Sequence, residues 1–365
     1  MKLAPDTIYH YLSKRQLIDQ EAVVKGQFIV HPVKTRNNIM KIIVGRDNSL
    51  FVKQTEGDLV SKALFRREIS AYELIRNNSE FSSIAHIVPE MIDYDDEKNV
   101  IITRLVCDAK NLCEYYGHTK NFDTEIARGQ AKILAAYHVV PADKTNITAF
   151  PKALPWVLQL DKYNADQFFV GNKASTDIIK LIKENHLLQQ ELVNLSNSWQ
   201  YTHLIHGDIK WINFLAIENN GVLTQTLIDW ELADIGDPMW DVAGLLQSYI
   251  TTWVLGFDNS NPQHHQLPAY MKHYELQNMQ PSARAFLEEY FKLQQFDSYE
   301  LPSCYIKALQ LTAARIIQTS VEAITYNTAV EANNMRCIQL AFNILKDPAA
   351  ALEQLFTIKI QQHYV

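Results

Sequence analysis

Residues 206–213 read His-Gly-Asp-Ile-Lys-Trp-Ile-Asn, and residues 228–231 read Ile-Asp-Trp-Glu. The first run places a carboxylate, Asp208, and a carboxamide, Asn213, on one tight loop. The second adds another carboxylate, Asp229, at the end of an apolar run. A carboxylate beside a hydroxyl can orient it and take its proton. Hard oxygen donors, one of them anionic, suit Mg2+ bridging the phosphates of a nucleotide. The three residues therefore suit phosphoryl transfer from ATP. Asp208 is expected as the catalytic base, and Asn213 and Asp229 as the metal ligands. His-Gly-Asp alone would read as a capped turn; Asn213 and Ile-Asp-Trp-Glu carry the chemical reading.

These residues need a scaffold, and the chain is long enough for two lobes. It has 365 residues, 47% apolar and 21% charged, which permits a substantial core. The net charge of −7 argues against non-specific nucleic-acid binding and against an anionic membrane surface as partner. The first residues, MKLAPDTIYHYLSKRQ, lack the apolar core of a signal peptide, and no run of eighteen apolar residues follows. Residues 240–257, the longest apolar-rich run, are broken by Asp241, Gly244 and Gln247 and read as a buried helix. The four cysteines, Cys107, Cys113, Cys304 and Cys337, show no metal-ligand spacing. Reduced thiols in a cytoplasmic protein are the expectation. His264-His265 reads as a surface pair with no third ligand nearby.

Periodicity divides the chain near residue 105. Residues 1–20 predict a helix. Strands are expected at 28–30, 39–44, 50–54, 89–94 and 100–103, with a helix at 59–77 between the third and fourth. From about 111 the pattern is mainly helical: a strong helix at 122–140, a helical insertion at 141–200, and helices from about 283 to 360. The fold class is α+β, with a five-stranded antiparallel sheet and one main helix in the first part (1–105) and a mostly helical second part (106–365).

The loop spacing Asp-x4-Asn matches that of kinases. With Ile-Asp-Trp-Glu, with Leu-Ala-Ala-Tyr-His ending the helix at 122–140, and with Gly-Asp-Pro-Met-Trp-Asp at 236–241, the chain resembles the aminoglycoside phosphotransferase and choline kinase family, whose fold is protein-kinase-like. The resemblance covers residues 20–250 in order. It implies a bilobal fold holding ATP and Mg2+ between its lobes and phosphorylation of a small-molecule hydroxyl: an aminoglycoside-, choline- or sugar-like acceptor. It implies that Lys53, closing the third strand, contacts the α- and β-phosphates. Five residues apart, Glu68 and Glu73 cannot face Lys53 together; the resemblance implies that Glu68 pairs with it, since the family places its glutamate a few residues before an aromatic or Leu. Asp241 would accept backbone N–H groups of the catalytic loop, and His206 would brace that loop. Lys210, two residues past Asp208, would touch the γ-phosphate. The adenine edge would meet the connection 105–108, with Val106 supplying an amide.

Two features depart from the wider kinase pattern. The first hairpin has no glycine, so phosphate cover would come from backbone N–H groups and from Thr35, Arg36 or Asn37. Asp241 follows Asp229 by only twelve positions, too few for a peptide platform, which favours a small acceptor. That acceptor would be lined by the 141–200 insertion and the C-terminal helices, with Asp161, Trp253, Glu288, Glu289 and Tyr290 as candidates beside the plainer reading of exposed charges and core aromatics. Two rival readings are a Ser/Thr kinase acting on peptides in natural-product maturation and a non-catalytic pseudokinase scaffold. The full set Lys53, Glu68, Asp208, Asn213 and Asp229 argues against the scaffold.

Overall fold

A computed structural model describes residues 2–34, 37–45, 47–144, 149–162, 173–219, 222–256, 274–297, 299–326 and 330–360. Thr35, Arg36 and His264-His265 lie outside the described residues. The chain forms two compact units: 1–110 with 214–233, and 111–213 with 234–365.

The first unit is built on an antiparallel sheet of five strands: β1 (Phe28–Lys34), β2 (Asn38–Val44), β3 (Leu50–Gln54), β4 (Met91–Asp95) and β5 (Val100–Arg104). Their order is β1-β2-β3-β5-β4. Side chains alternate across a strand, so neighbouring residues of β3 serve different faces. Val52 joins Met40, Ile42, Leu50, Val100 and Ile102 in a core that Leu3, Ile8, Leu12 and Ile18 cover. Lys53 pairs in register with Ile101, which packs with Phe65 and Ile69 of the helix α3 (Leu59–Asn77). Asp58 starts that helix, its carboxylate accepting from the amides of Val60 and Ser61.

The N-terminal segment differs from the single helix expected over 1–20. It forms two helices, Ile8–Lys14 and Gln20–Val24. Gln16 takes a left-handed conformation, φ 59°, which ends the first, and Asp19 caps the second. The segment is pinned to the sheet. The Leu3 amide donates to Gln54 Oε1 (2.8 Å), and the Asn38 amide group donates to Leu3 O (2.8 Å).

The second unit is helical. Helix Thr124–His138 packs on Leu276–Gln294, and Glu300–Tyr326 packs on both Met239–Leu255 and Ala332–Lys346. Two short strands, His203–Ile205 and Asp234–Gly236, pair antiparallel. The insertion forms Lys173–Glu184 and His186–Asn197, parted at Asn185, which caps the second by accepting from the Leu188 amide. The tail begins earlier than its pattern predicted, at Leu276, and Gln295 breaks it at φ 57°. No helix among the described residues is long and apolar enough to cross a membrane.

Candidate active site

In the second unit the loop after His203–Ile205 alternates between core and surface. Ile209 and Trp211 are buried, while Asp208 and Lys210 point the other way, their side chains 21% and 46% exposed. Gly207 sits at φ +79°, a left-handed conformation that a side chain would strain. The loop then closes in a 3-10 turn, Trp211–Asn213. Asn213 donates from its side-chain nitrogen to Asp208 O at 2.8 Å, which turns its amide oxygen away as a neutral donor. Lys210 Nζ lies 2.6 Å from Asp208 Oδ2.

Asp241, fully buried, holds this loop from the start of helix Met239–Leu255. Its carboxylate accepts from the amides of His206 (2.6 Å) and Gly207 (2.9 Å) and from the Tyr137 hydroxyl (2.7 Å). Burial alone would raise its pKa, but hydrogen bonding and charge from His138, with help from His206, win and hold it below the usual carboxylate range. His206 Nδ1 accepts from the Asp208 amide at 3.3 Å, a brace within the loop.

Beside Asp208 a pocket of about 330 Å³ opens, lined by Trp211, Gln247, Thr252, Arg315 and Glu322 among others. Glu322 accepts from the Trp156 indole N–H at 3.0 Å, and burial raises its pKa. The acceptor candidates read from sequence do not line this pocket. Asp161 is exposed, Glu288 pairs with Arg284, Glu289 lies 3.9 Å from Lys292, and Tyr290 is a core residue bonded to His138. Trp253 borders a separate open groove with Arg336 and Leu340. Arg315 and Glu322 belong to no short motif. Their only sequence signal is a charged residue inside an otherwise apolar helical face.

The first unit gathers the remaining predicted residues. Lys53 Nζ lies 2.9 Å from Glu68 Oε2, 2.6 Å from Asp229 Oδ1 and 2.7 Å from Glu231 Oε2. Glu68 is therefore the partner of Lys53. Asp229 adopts a left-handed conformation, φ 68°, that turns the chain into Trp230–Leu232. Trp230, fully buried, donates to Leu227 O at 3.2 Å, and its turn packs on α3. Glu231 stands in the Ile-Asp-Trp-Glu run, where sequence alone assigns it no role. The 3-10 turn brings it back beside Asp229.

Burial opposes the charge on Lys53, yet the three carboxylates, Glu68 first, hold it protonated well above the usual lysine range. Glu68 is pushed up to about 7, burial outweighing the pull of Lys53. The carboxylate oxygens of Glu68, Asp229 and Glu231 lie within 4.8 Å of one another. Three carboxylates against one ammonium leave an excess of negative charge, and hard oxygens of this kind fit Mg2+. Val106 follows β5 in an irregular, half-buried stretch.

The model of the phosphotransferase enzyme family (APH) matches residues 38–289. The chain belongs to that family. The phosphotransferase shares its fold with an ethanolamine kinase from Plasmodium vivax: 14% identity, 93% of this chain and 89% of that one, TM-score 0.57. It is likewise similar to the choline kinase LicA from Streptococcus pneumoniae, at 14% identity over 92% and 99% of the two chains and TM-score 0.51. A complex of APH(2")-IIia with GDP and kanamycin matches at 14% identity over 93% and 99%, TM-score 0.51. None of the curated proteins matches the chain in sequence. The protein-kinase-like α+β fold expected from the sequence is thus the fold of the phosphotransferase.

Proposed function

We propose that this phosphotransferase moves the γ-phosphoryl group of ATP to a hydroxyl of a small molecule. The observation that carries the reading is Asp208 on the wall of a pocket of about 330 Å³. That volume is at the small end of ligand sites and suits a metabolite rather than an extended peptide. Asp208 orients the acceptor hydroxyl and takes its proton as the phosphoryl group arrives. Lys53, fixed by Glu68, neutralises phosphate charge, and Lys210 moves from Asp208 to the incoming phosphate. Mg2+, with Asp229 and Asn213 as its expected ligands, neutralises the phosphates when bound. Most of the rate then comes from positioning and electrostatics. Residues 1–110 with 214–233 supply Lys53, Glu68 and Asp229; the remainder supplies Asp208, Lys210, Asn213 and the acceptor pocket. Similarity to kinases named for ethanolamine and choline, and to a kanamycin complex, supports an acceptor that is choline-, sugar- or aminoglycoside-like.

The test is ADP release from Mg2+-ATP over a panel of hydroxylated acceptors: choline, ethanolamine, glucosamine, kanamycin and homoserine, with a Ser/Thr peptide as comparison. Turnover with a small acceptor and none with the peptide is expected. Transfer to the peptide alone would overturn the acceptor class. No thermal stabilisation by Mg2+-ATP would favour a scaffold over an enzyme.

A further inference from the structure

Asp208 is held from behind by a residue far along the chain. Arg315, on helix Glu300–Tyr326, is 5% exposed. Its Nη1 donates to Gly207 O at 3.1 Å and its Nη2 to Ile209 O at 3.3 Å. These are the carbonyls on either side of Asp208. Its Nε donates to Gln247 Oε1 at 3.1 Å, which fixes the plane of the fork, and the guanidinium stacks 4.8 Å from the Trp240 ring. Nη2 also lies 3.8 Å from Asp208 Oδ1, while Lys210 takes the other oxygen, Oδ2. The two carboxylate oxygens thus face two different cations, one buried and one exposed.

The neighbouring helix is shaped to allow this grip. A Cβ on Gly244 would meet the Ile209 carbonyl oxygen and would sit 3.1 Å from Arg315 Cζ. Only a residue without a side chain lets helix Met239–Leu255 pass where Arg315 reaches the loop. Burial opposes the guanidinium charge, lowering its pKa, and Asp208, Asp241 and Glu322 act against that. A buried guanidinium is costly unless its donors are met and its charge is answered. Here the answer is the loop that carries the proposed base.

We infer that Arg315 is a positioning residue for phosphoryl transfer: its fork fixes the two carbonyls flanking Asp208 and so sets the angle at which the Asp208 carboxylate meets the acceptor hydroxyl. This rests on the role of Asp208 proposed above. A lysine would keep the charge but cannot span both carbonyls, because its ammonium is a point donor on a flexible stem.

The test compares Arg315→Lys and Arg315→Met with the unaltered protein, using ADP release with Mg2+-ATP and the most active panel acceptor. In both variants kcat is expected to fall roughly 10- to 100-fold, the cost of a small misplacement of a reacting group. The KM for ATP should stay within about twofold, because Arg315 touches none of the residues expected to hold nucleotide. Hydrogen exchange is read alongside and needs no acceptor. Amides of 206–209 should exchange faster in both variants while the rest of the helical unit keeps its protection. If neither variant folds, Gln247→Ala, which removes the Nε anchor and the bond to Thr319 but leaves both carbonyl contacts of Arg315, should still lower kcat severalfold and loosen the same amides. Unchanged kcat with unchanged loop exchange would overturn the inference, as would full rescue by lysine. A turnover that survives Asp208→Ala would instead overturn the role of Asp208 itself, so the two failures are separable.

Discussion

Lys53 and Asp229 stand 176 residues apart in the chain and 2.6 Å apart in space. Glu68 and Glu231 complete the group around the same ammonium. Replacing Lys53 by methionine leaves the buried Glu68 without its counter-charge. The expected loss of folding stability is about 3 kcal/mol, as for other broken buried pairs. Denaturant unfolding should show a smaller loss at pH 5 than at pH 8, since Glu68 can then take a proton. An equal loss at both would show that Glu68 is not the group left stranded.

Glu68 also predicts a pH dependence. Its folded pKa, about 7, is above its ordinary 4.5 because burial disfavours the charge. A raised folded value means that the native state binds the proton more tightly. The stabilisation is therefore full below about 4.5 and is lost as pH rises through about 7. Unfolding free energy measured from pH 5 to 8 should decline by this group's contribution, and Glu68→Gln should flatten that decline. Turnover should move oppositely, rising through pH 7 as ionised Glu68 tightens on Lys53.

Asp208→Ala should abolish phosphoryl transfer while thermal stabilisation by Mg2+-ATP persists. Undiminished turnover in that variant would falsify the base assignment. Asn213 should then be tested separately. Asn213→Ala frees the Asp208 carbonyl as well as removing an oxygen donor, so it should lower both kcat and the apparent affinity for Mg2+.

Gly244→Ala places a methyl group against the Ile209 carbonyl and the Arg315 guanidinium. Both neighbours are buried, so overpacking should cost about 1–3 kcal/mol. Calorimetry gives the stability change, and kcat corrected for folded fraction gives the effect on the loop. A variant of native stability and native kcat would mean that the loop has room to spare.

Glu322→Gln keeps the shape of the pocket wall and the bond from the Trp156 indole while removing a charge. The KM for the acceptor should rise severalfold with the KM for ATP unchanged. Equal KM values in both proteins would place the acceptor elsewhere than beside Glu322.

Much of this is legible in the sequence. The strands at 39–44, 50–54 and 100–103 are short, mostly apolar runs bounded by polar turns, so local pattern and tertiary need agree. Lys53 was legible only through the family resemblance; by itself, a lysine near the end of a strand reads as a solvated charge. Asp208, Asn213 and Asp229 were legible because short loops force chemistry into fixed spacing. The N-terminal helix was misjudged because its break is made by one residue, Gln16, in a left-handed conformation that composition does not reveal.

The sequence by itself determined the fold class, through local strand and helix patterns, and the loop chemistry, through fixed spacing; the resemblance those motifs carry pointed to Glu68 over Glu73. Only the tertiary structure decided that Glu231 joins Lys53, that Arg315 grips the carbonyls beside Asp208, and that Gly244 makes room for it. Those contacts join segments tens to more than a hundred residues apart. Periodicity records which face of a helix is buried; it does not record what that face meets.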